Sequence, residues 1–314
     1  MRRSAAPVRR NKQRSLLDIE RLSAEEITSL LKVARRMQAR GARPLLRNKA
    51  VALLFYEAST RTRVSFELAA KKLGAVTTLV TATASSIEKG ESLLDTVRTL
   101  RATGCDALVI RHLSAGAPEL CARHLDIPVI NAGDGMHEHP SQALLDAYTM
   151  LDHRKKLRGL RVAIVGDILH SRVARSNIHL LSKFGAQINL CGPEALVPEV
   201  AATLAKGVRV TRHLEEALRG ADVIMMLRVQ QERLEGLQLN LAEYVAHYQL
   251  TPERLRMAKR DAMVMHPGPV IRGMELTSEV ADGPQSVIRE QVHNGLAVRM
   301  AVFARAFGTA TLSA

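Results

Sequence analysis

With 314 residues, 46% of them hydrophobic and 24% charged, the chain is long enough for two ordinary cores. No apolar run approaches the roughly 20 residues that span a bilayer, and the basic first residues lead into no apolar stretch, so neither a membrane span nor a signal peptide is expected. The net charge of +14 would suit a nucleic-acid partner, but aromatic residues are only 3%, Trp is absent and no nucleic-acid motif occurs. No specific nucleic-acid role is expected, and a basic surface equally suits small anionic substrates.

Six charges (Arg2, Arg3, Arg9, Arg10, Lys12 and Arg14) fall in the first 14 residues, which contain no acid. Residues 1–14 are expected to form a disordered basic tail. Ser23 then offers an N-cap, Glu26 a capping-box partner, and Leu22 with Ile27 a hydrophobic staple, for a helix running to about Gln38. Beyond it, strands and helices alternate. Strands are expected at Val51–Tyr56, Val76–Val80, Ala107–Arg111 and Pro128–Asn131, and helices at Thr62–Leu73, Leu93–Leu100, Pro118–His124 and Ser141–Leu151.

The charged stretch Asp152–Arg158, closed by Gly159, reads as a boundary. A second series follows: strands at Arg161–Val165, Gln187–Leu190, Val208–Val210, Val223–Leu227 and Met263–Met265, and helices at Val173–Phe184, Pro198–Leu204 and Leu214–Leu218. A long helix, about Gln285–Phe307, closes the chain, with Ile288, Val292, Leu296, Val302 and Phe303 as its packing positions. Continuous apolar strands between helices indicate two doubly wound parallel-sheet α/β domains in series, linked by helices, with ligands beyond the carboxyl ends of the strands and the active site in the cleft between domains. The expected division is 15–152, plus about 285–314, and 153–284.

Cys105, Cys121 and Cys191 form no CxxC pair or zinc-spaced cluster, so reduced, buried thiols in a cytoplasmic protein are expected. After the first strand of the alternating series, Ser59-Thr60-Arg61-Thr62-Arg63 leads into a helix. Hydroxyls, unpaired backbone N–H groups and guanidinium groups at a helix start favour an anion. The loop has no glycine, so it differs from the nucleotide-binding GxxxxGK[ST] loop and suits a small phosphate held by side chains. Val165-Gly166-Asp167 lacks GxGxxG, which argues against a dinucleotide site.

Ser59-Thr60-Arg61-Thr62-Arg63 together with His139-Pro140-Ser141-Gln142 resembles the two signatures of the carbamoyltransferase family. Three further segments, Ser85 to Ser92, Leu227 to Arg233 and His266 to Gly273, resemble its aspartate branch. Ornithine enzymes typically carry Cys where Ser141 stands and HCLP where His266-Pro267-Gly268-Pro269 stands, and they lack the lysine matching Lys89. One departure is Ile271, where the family usually has Asn.

The resemblance implies a transfer from carbamoyl phosphate to aspartate, in pyrimidine biosynthesis, with no cofactor or metal. It assigns carbamoyl phosphate to Ser59, Thr60, Arg61, Thr62, Arg111, His139, Gln142, Ser85, Pro267 and Gly268. It assigns aspartate to Lys89, Arg172, Arg228 and Gln230. Thr62, Arg111 and His139 would form an oxyanion hole, with Arg61 and Lys89 also catalytic. Ser85 and Lys89 would reach a neighbouring subunit's site, implying a homotrimer or dimer of trimers; a regulatory chain or dihydroorotase are further partners by analogy. The competing readings are another amine acceptor such as ornithine, a silent anion-binding scaffold, and a basic nucleic-acid binder.

Overall fold

The computed structural model describes residues 14–81, 86–230 and 240–309. Residues 1–13 of the expected tail, Ser85, the Gln231–Arg233 end of one family-like segment, and 310–314 lie outside the described residues. Two compact units divide the chain: 1–144 with 294–314, and 145–293. No described helix is long and apolar enough to cross a membrane.

The first unit opens with helix α1 (Ala24–Arg40), whose capping box is made. Glu26 N donates to Ser23 Oγ at 3.2 Å and Ser23 N to Glu26 Oε2 at 3.0 Å. Ile27, Leu30, Leu31, Ala34 and Met37 bury one stripe at helical spacing. Then follow β1 (Ala50–Phe55), α2 (Thr60–Lys72), β2 (Val76–Thr81), α3 (Leu93–Ala102), β3 (Ala107–His112), α4 (Ala117–His124) and β4 (Val129–Asp134). The sheet is wholly parallel in the order β2-β1-β3-β4. Val51 to Phe55 are buried without alternation, as expected of a strand covered on both faces.

Helix α5 (Pro140–Arg154) runs across the division. The second unit continues with β5 (Arg161–Val165), α6 (Arg172–Lys183), β6 (Gln187–Cys191), β7 (Val208–Thr211), α7 (Leu214–Leu218), β8 (Val223–Met226), α8 (Leu241–Tyr248), α9 (Pro252–Leu255), β9 (Met263–Met265) and α10 (Ser278–Ala281). Its sheet is also parallel, ordered β7-β6-β5-β8-β9. Ala163, Val165, Ile224, Met226, Val264 and Leu276 belong to one buried cluster. The closing helix α11 (Ile288–Phe307) also crosses the division. Within the first unit its Phe303 packs edge-on against Phe66, centroids 5.8 Å apart, and Arg299 lies over the same ring at 5.0 Å.

Three local expectations are corrected. The helix expected at Pro198–Leu204 is a single 3₁₀ turn, Glu199–Thr203. Only Ala201 in it is buried and Val200 is exposed, so no apolar stripe holds an α-helix there. The closing helix starts at Ile288 rather than Gln285, because residues 285–287 pair with β9: Val264 N donates to Gln285 O at 2.8 Å and Val287 N to Val264 O at 2.9 Å. Val292 is half-exposed, so it is not one of the helix's packing positions.

Gly166 ends β5 with φ +123°, and a Cβ there would lie 2.8 Å from Leu227 O and 3.1 Å from the Tyr244 hydroxyl. Both the conformation and the close approach require glycine. Gly166→Ala is expected to lower the unfolding free energy by about 1–3 kcal/mol, measured by urea denaturation.

Candidate functional site

In each sheet, successive crossovers leave in opposite directions at one point: between β1 and β3 in the first, and between β5 and β8 in the second. Loops that follow the strands on either side of such a point diverge and leave room for a ligand. Ser59 to Thr62 follow β1, and Arg111 lies near the end of β3. Arg172 follows β5, and Arg228 and Gln230 follow β8. His139 and Gln142 follow β4; Pro267 and Gly268 follow β9.

In the first unit, pairing of Phe55 with Arg111 brings two of these strand ends side by side, and Tyr56 N donates to Arg111 O at 2.9 Å. The Arg111 guanidinium forms an ion pair with Glu57 at 3.3 Å and bonds Ala132 O at 3.5 Å, so it links the ends of β1, β3 and β4. Ser59 is the N-cap of α2, yet its side chain makes no capping hydrogen bond. The first N–H groups of a helix have no partner within it, so this helix start can present them to an anion. Thr62 is buried and Arg61 half-buried. Burial lowers the Arg61 pKa, the mark of a partly desolvated cation whose attraction for an anion is strengthened.

His139 is buried and stands immediately before Pro140, the first residue of α5; Gln142 N donates to His139 O at 3.0 Å. A buried polar network holds the turn from which it projects. Asp134 Oδ1 accepts from Asn131 Nδ2 at 2.8 Å and Glu138 N at 3.2 Å, while Oδ2 accepts from Gly116 N at 2.8 Å. Glu138 in turn accepts from Ile19 N at 2.8 Å and Glu20 N at 3.2 Å. Lys89 is exposed at the end of a 3₁₀ turn, Ser86–Lys89.

In the second unit, Arg172 is buried at the first position of α6, capped by Ser171 Oγ, which accepts from Ala174 N at 3.0 Å. Arg228 and Gln230 are half-buried. Asp167, fully buried, ties their loop to the one after β5. It accepts from the His170 ring Nδ1 at 2.9 Å, His170 N at 3.1 Å and Gln230 N at 3.3 Å. Gln230 Nε2 also donates to His170 O at 3.1 Å. Glu275 makes a second tie, accepting from Val229 N at 3.2 Å and Ile271 N at 3.0 Å. Its pKa is raised by burial, opposed by its backbone hydrogen bonds and by Arg228. These bracing carboxylates were not among the sequence-predicted site residues. Acidic side chains inside apolar or glycine-flanked strand-end segments were the available signal.

His137 lies at the surface of the His139 turn, its ring Nδ1 3.0 Å from Asp134 Oδ2. The hydrogen bond to Asp134 raises the His137 pKa against the opposing effect of burial. A raised histidine pKa stabilises the fold fully below the unfolded value of about 6.5, and that stability is lost as pH rises through the folded value. His137→Gln is therefore expected to destabilise most at the acidic side of that window, with the difference from wild type shrinking as pH rises through it. Urea denaturation from pH 6 to 9 measures this.

Residues 14–152 match the carbamoyl-P binding domain of aspartate/ornithine carbamoyltransferase, and residues 158–306 match the Asp/Orn binding domain. The chain is 64% identical over 291 residues to the aspartate carbamoyltransferase catalytic subunit of Koribacter versatilis, covering 93% of this chain and 96% of that one. It is 55% identical over 298 residues to the corresponding subunit of Solibacter usitatus, covering 93% and 99%. Among solved structures, it resembles aspartate transcarbamoylase from Trypanosoma cruzi in complex with N-(phosphonacetyl)-L-aspartic acid, with a TM-score of 0.85, 32% identity and coverage of 94% and 96%. Ornithine carbamoyltransferase from Pyrococcus furiosus is similar at a TM-score of 0.84, 31% identity and coverage of 94% and 97%. The chain belongs to the aspartate/ornithine carbamoyltransferase family.

Proposed function

We infer that the chain transfers the carbamoyl group of carbamoyl phosphate to L-aspartate, giving N-carbamoyl-L-aspartate and phosphate, in de novo pyrimidine biosynthesis. The observation that carries this is the placement of anion-binding side chains at the strand ends flanking the switch point of each sheet, in a chain 64% identical to an aspartate carbamoyltransferase catalytic subunit. Aspartate is preferred to ornithine as acceptor because Ser141 and His266-Pro267-Gly268-Pro269 stand where ornithine enzymes carry cysteine-containing motifs, and because Arg172, Arg228 and Lys89 offer positive charge to two carboxylates.

The neutral amine attacks the carbonyl carbon. A C–N bond forms, the carbonyl oxygen gathers negative charge, and the bond to the phosphate oxygen then breaks. The phosphate leaves with the electron pair, and one proton passes from the nitrogen to it. Ser59, Thr60, Arg61, Thr62 and Arg111 hold the phosphate; charge-assisted hydrogen bonds of this kind contribute roughly 1.5–3 kcal/mol each. Only the part that grows as the phosphate gains charge accelerates the reaction.

Thr62, Arg111 and His139 donate to the developing oxyanion. His139 acts from a helix start, where the dipole disfavours imidazolium, so it serves as a neutral donor. Gln142 and the backbone at Pro267 and Gly268 hold the carbamoyl amide. Arg172, Arg228, Gln230 and Lys89 bind aspartate.

The reading includes a homotrimer or a dimer of trimers, with Ser85 and Lys89 serving a neighbouring subunit. Exposed Val64 and Leu68, one turn apart on α2, and Val76 and Leu79 on edge strand β2 support a partner surface on this part of the first unit, and we assign it to a second copy of the chain. Cys105, Cys121 and Cys191 are free and buried, which suits a reducing compartment, and the reading places the enzyme in the cytoplasm.

Ureido product is expected with carbamoyl phosphate and aspartate, and none with ornithine; product from ornithine alone overturns the choice of acceptor. His139→Ala is expected to lower kcat by about 10²–10³, measured on the folded variant. Mixed Lys89→Ala and His139→Ala subunits should regain part of the activity, since some interfaces combine two intact halves. Inert mixtures after demonstrated subunit exchange would refute shared sites.

A further inference from the structure

At the carboxyl end of β9 the chain turns through His266, Pro267 and Gly268, and a buried chain of hydrogen bonds holds this turn from behind. Asp146 is fully buried; its Oδ2 accepts from Asn177 Nδ2 at 2.8 Å and its Oδ1 from Gln291 Nε2 at 2.8 Å. Gln291 Oε1 accepts from His266 N at 3.0 Å, and the His266 ring Nδ1 accepts from Gly268 N at 2.8 Å. Gln291 and His266 are each 2% exposed. All five residues belong to the second unit.

The polarity of the chain allows one arrangement. A carboxylate only accepts and a backbone N–H only donates. The Gln291 amide must therefore turn its NH₂ to Asp146 and its carbonyl to His266; the reverse would set oxygen against oxygen and N–H against N–H. Acceptance at Nδ1 leaves the proton of neutral His266 on Nε2. The path from Asp146 to the Gly268 amide is thus fixed in direction at every link.

We propose that Gln291 is a positioning residue for carbamoyl transfer: lodged between the Asp146 carboxylate and the His266 backbone N–H, it sets where Pro267 and Gly268 stand against the carbamoyl amide and the incoming amine. This rests on the function proposed above, which puts Pro267 and Gly268 against substrate. The first unit's side chains proposed to hold phosphate take no part in the chain. Loss of Gln291 therefore acts on the attack step and spares phosphate binding.

The test uses the full-length protein with Gln291→Ala, Gln291→Glu, Asp146→Asn and the double variant Asp146→Asn/Gln291→Glu. A misplacement of about 1 Å at a reacting centre lowers the rate on the order of 100-fold, so Gln291→Ala is expected to reduce kcat by about 10- to 100-fold. Its KM for carbamoyl phosphate should rise, while inhibition by inorganic phosphate stays as in wild type. Gln291→Glu sets carboxylate against carboxylate and should be equally impaired. The double variant restores a donor facing an acceptor at each link and should recover most of the lost kcat.

Amide exchange at Gly268 should accelerate in Gln291→Ala and return in the double variant, a readout independent of turnover. Gln291→Met, which keeps the volume, replaces Gln291→Ala if that variant does not fold. Wild-type kcat in a folded Gln291→Ala or Gln291→Met, equal weakening of phosphate inhibition, or a double variant no better than either single overturns the proposal. If wild type makes no ureido product from aspartate, the functional reading fails by itself; unchanged Gly268 exchange then decides against the positioning chain separately.

Discussion

Parallel strand pairing makes every strand deliver its following loop to the same edge of the sheet. A right-handed crossover must then carry the chain back over one face, and which side it takes decides the strand order. In the orders β2-β1-β3-β4 and β7-β6-β5-β8-β9 the direction changes beside β1 and beside β5. The side chains proposed to bind ligand follow the strands at that point, where two loops part. Register then adjusts their placement: Arg111 pairs with Phe55, and its guanidinium meets Glu57, two residues before Ser59.

Loops leaving a strand end have few backbone partners of their own, and buried carboxylates supply them here. Asp134, Asp167 and Glu275 each accept at least two N–H groups, including backbone N–H groups. Removing a carboxylate from water costs several kcal/mol, and each charge-assisted hydrogen bond returns roughly 1.5–3 kcal/mol. The raised pKa of Glu275 shows that its desolvation is only partly offset. What the arrangement provides is geometry: Arg228 and Gln230 start from a backbone fixed on both sides before substrate arrives. Groups fixed in advance need no reorganisation as charge develops, which is the condition for effective electrostatic catalysis.

The alternation of apolar strands and helices was legible because inner strands such as β1, β3, β5 and β8 are buried on both faces, so they read as nearly continuous apolar runs. The strand-end rule then led to the Ser59–Arg63 loop without any contact being known, whereas Arg111, Arg172 and Arg228 came from the family resemblance and lie at strand ends as that rule expects. Local signals failed where tertiary pairing won, as at 285–287, which β9 holds outside the closing helix. Short α8, α9 and α10 were missed although Asn240, Thr251 and Thr277 cap them, because an isolated cap without a long apolar stripe is a weak helix signal. The bracing residues were illegible for another reason. Asp146, Gln291 and Glu275 find their partners far along the chain or on backbone groups, and neither kind of partner leaves a periodic trace in sequence.

Ile271 shows how this bracing governs tolerance to substitution. Where the family usually carries Asn, this chain has lost a side-chain amide from a loop of the proposed substrate domain. The loop is nevertheless held through its backbone: Ile271 N donates to Glu275 Oε2 at 3.0 Å, and Ile271 O accepts from Met274 N at 3.1 Å. Gly273 N, donating to Leu276 O at 3.0 Å, closes the turn. Any residue except proline supplies those two groups at position 271. The tie from Glu275 to both loops therefore survives the change, and the constraint at this place in the fold lies on residue 275, whose carboxylate has no substitute among the described hydrogen bonds to Val229 N and Ile271 N.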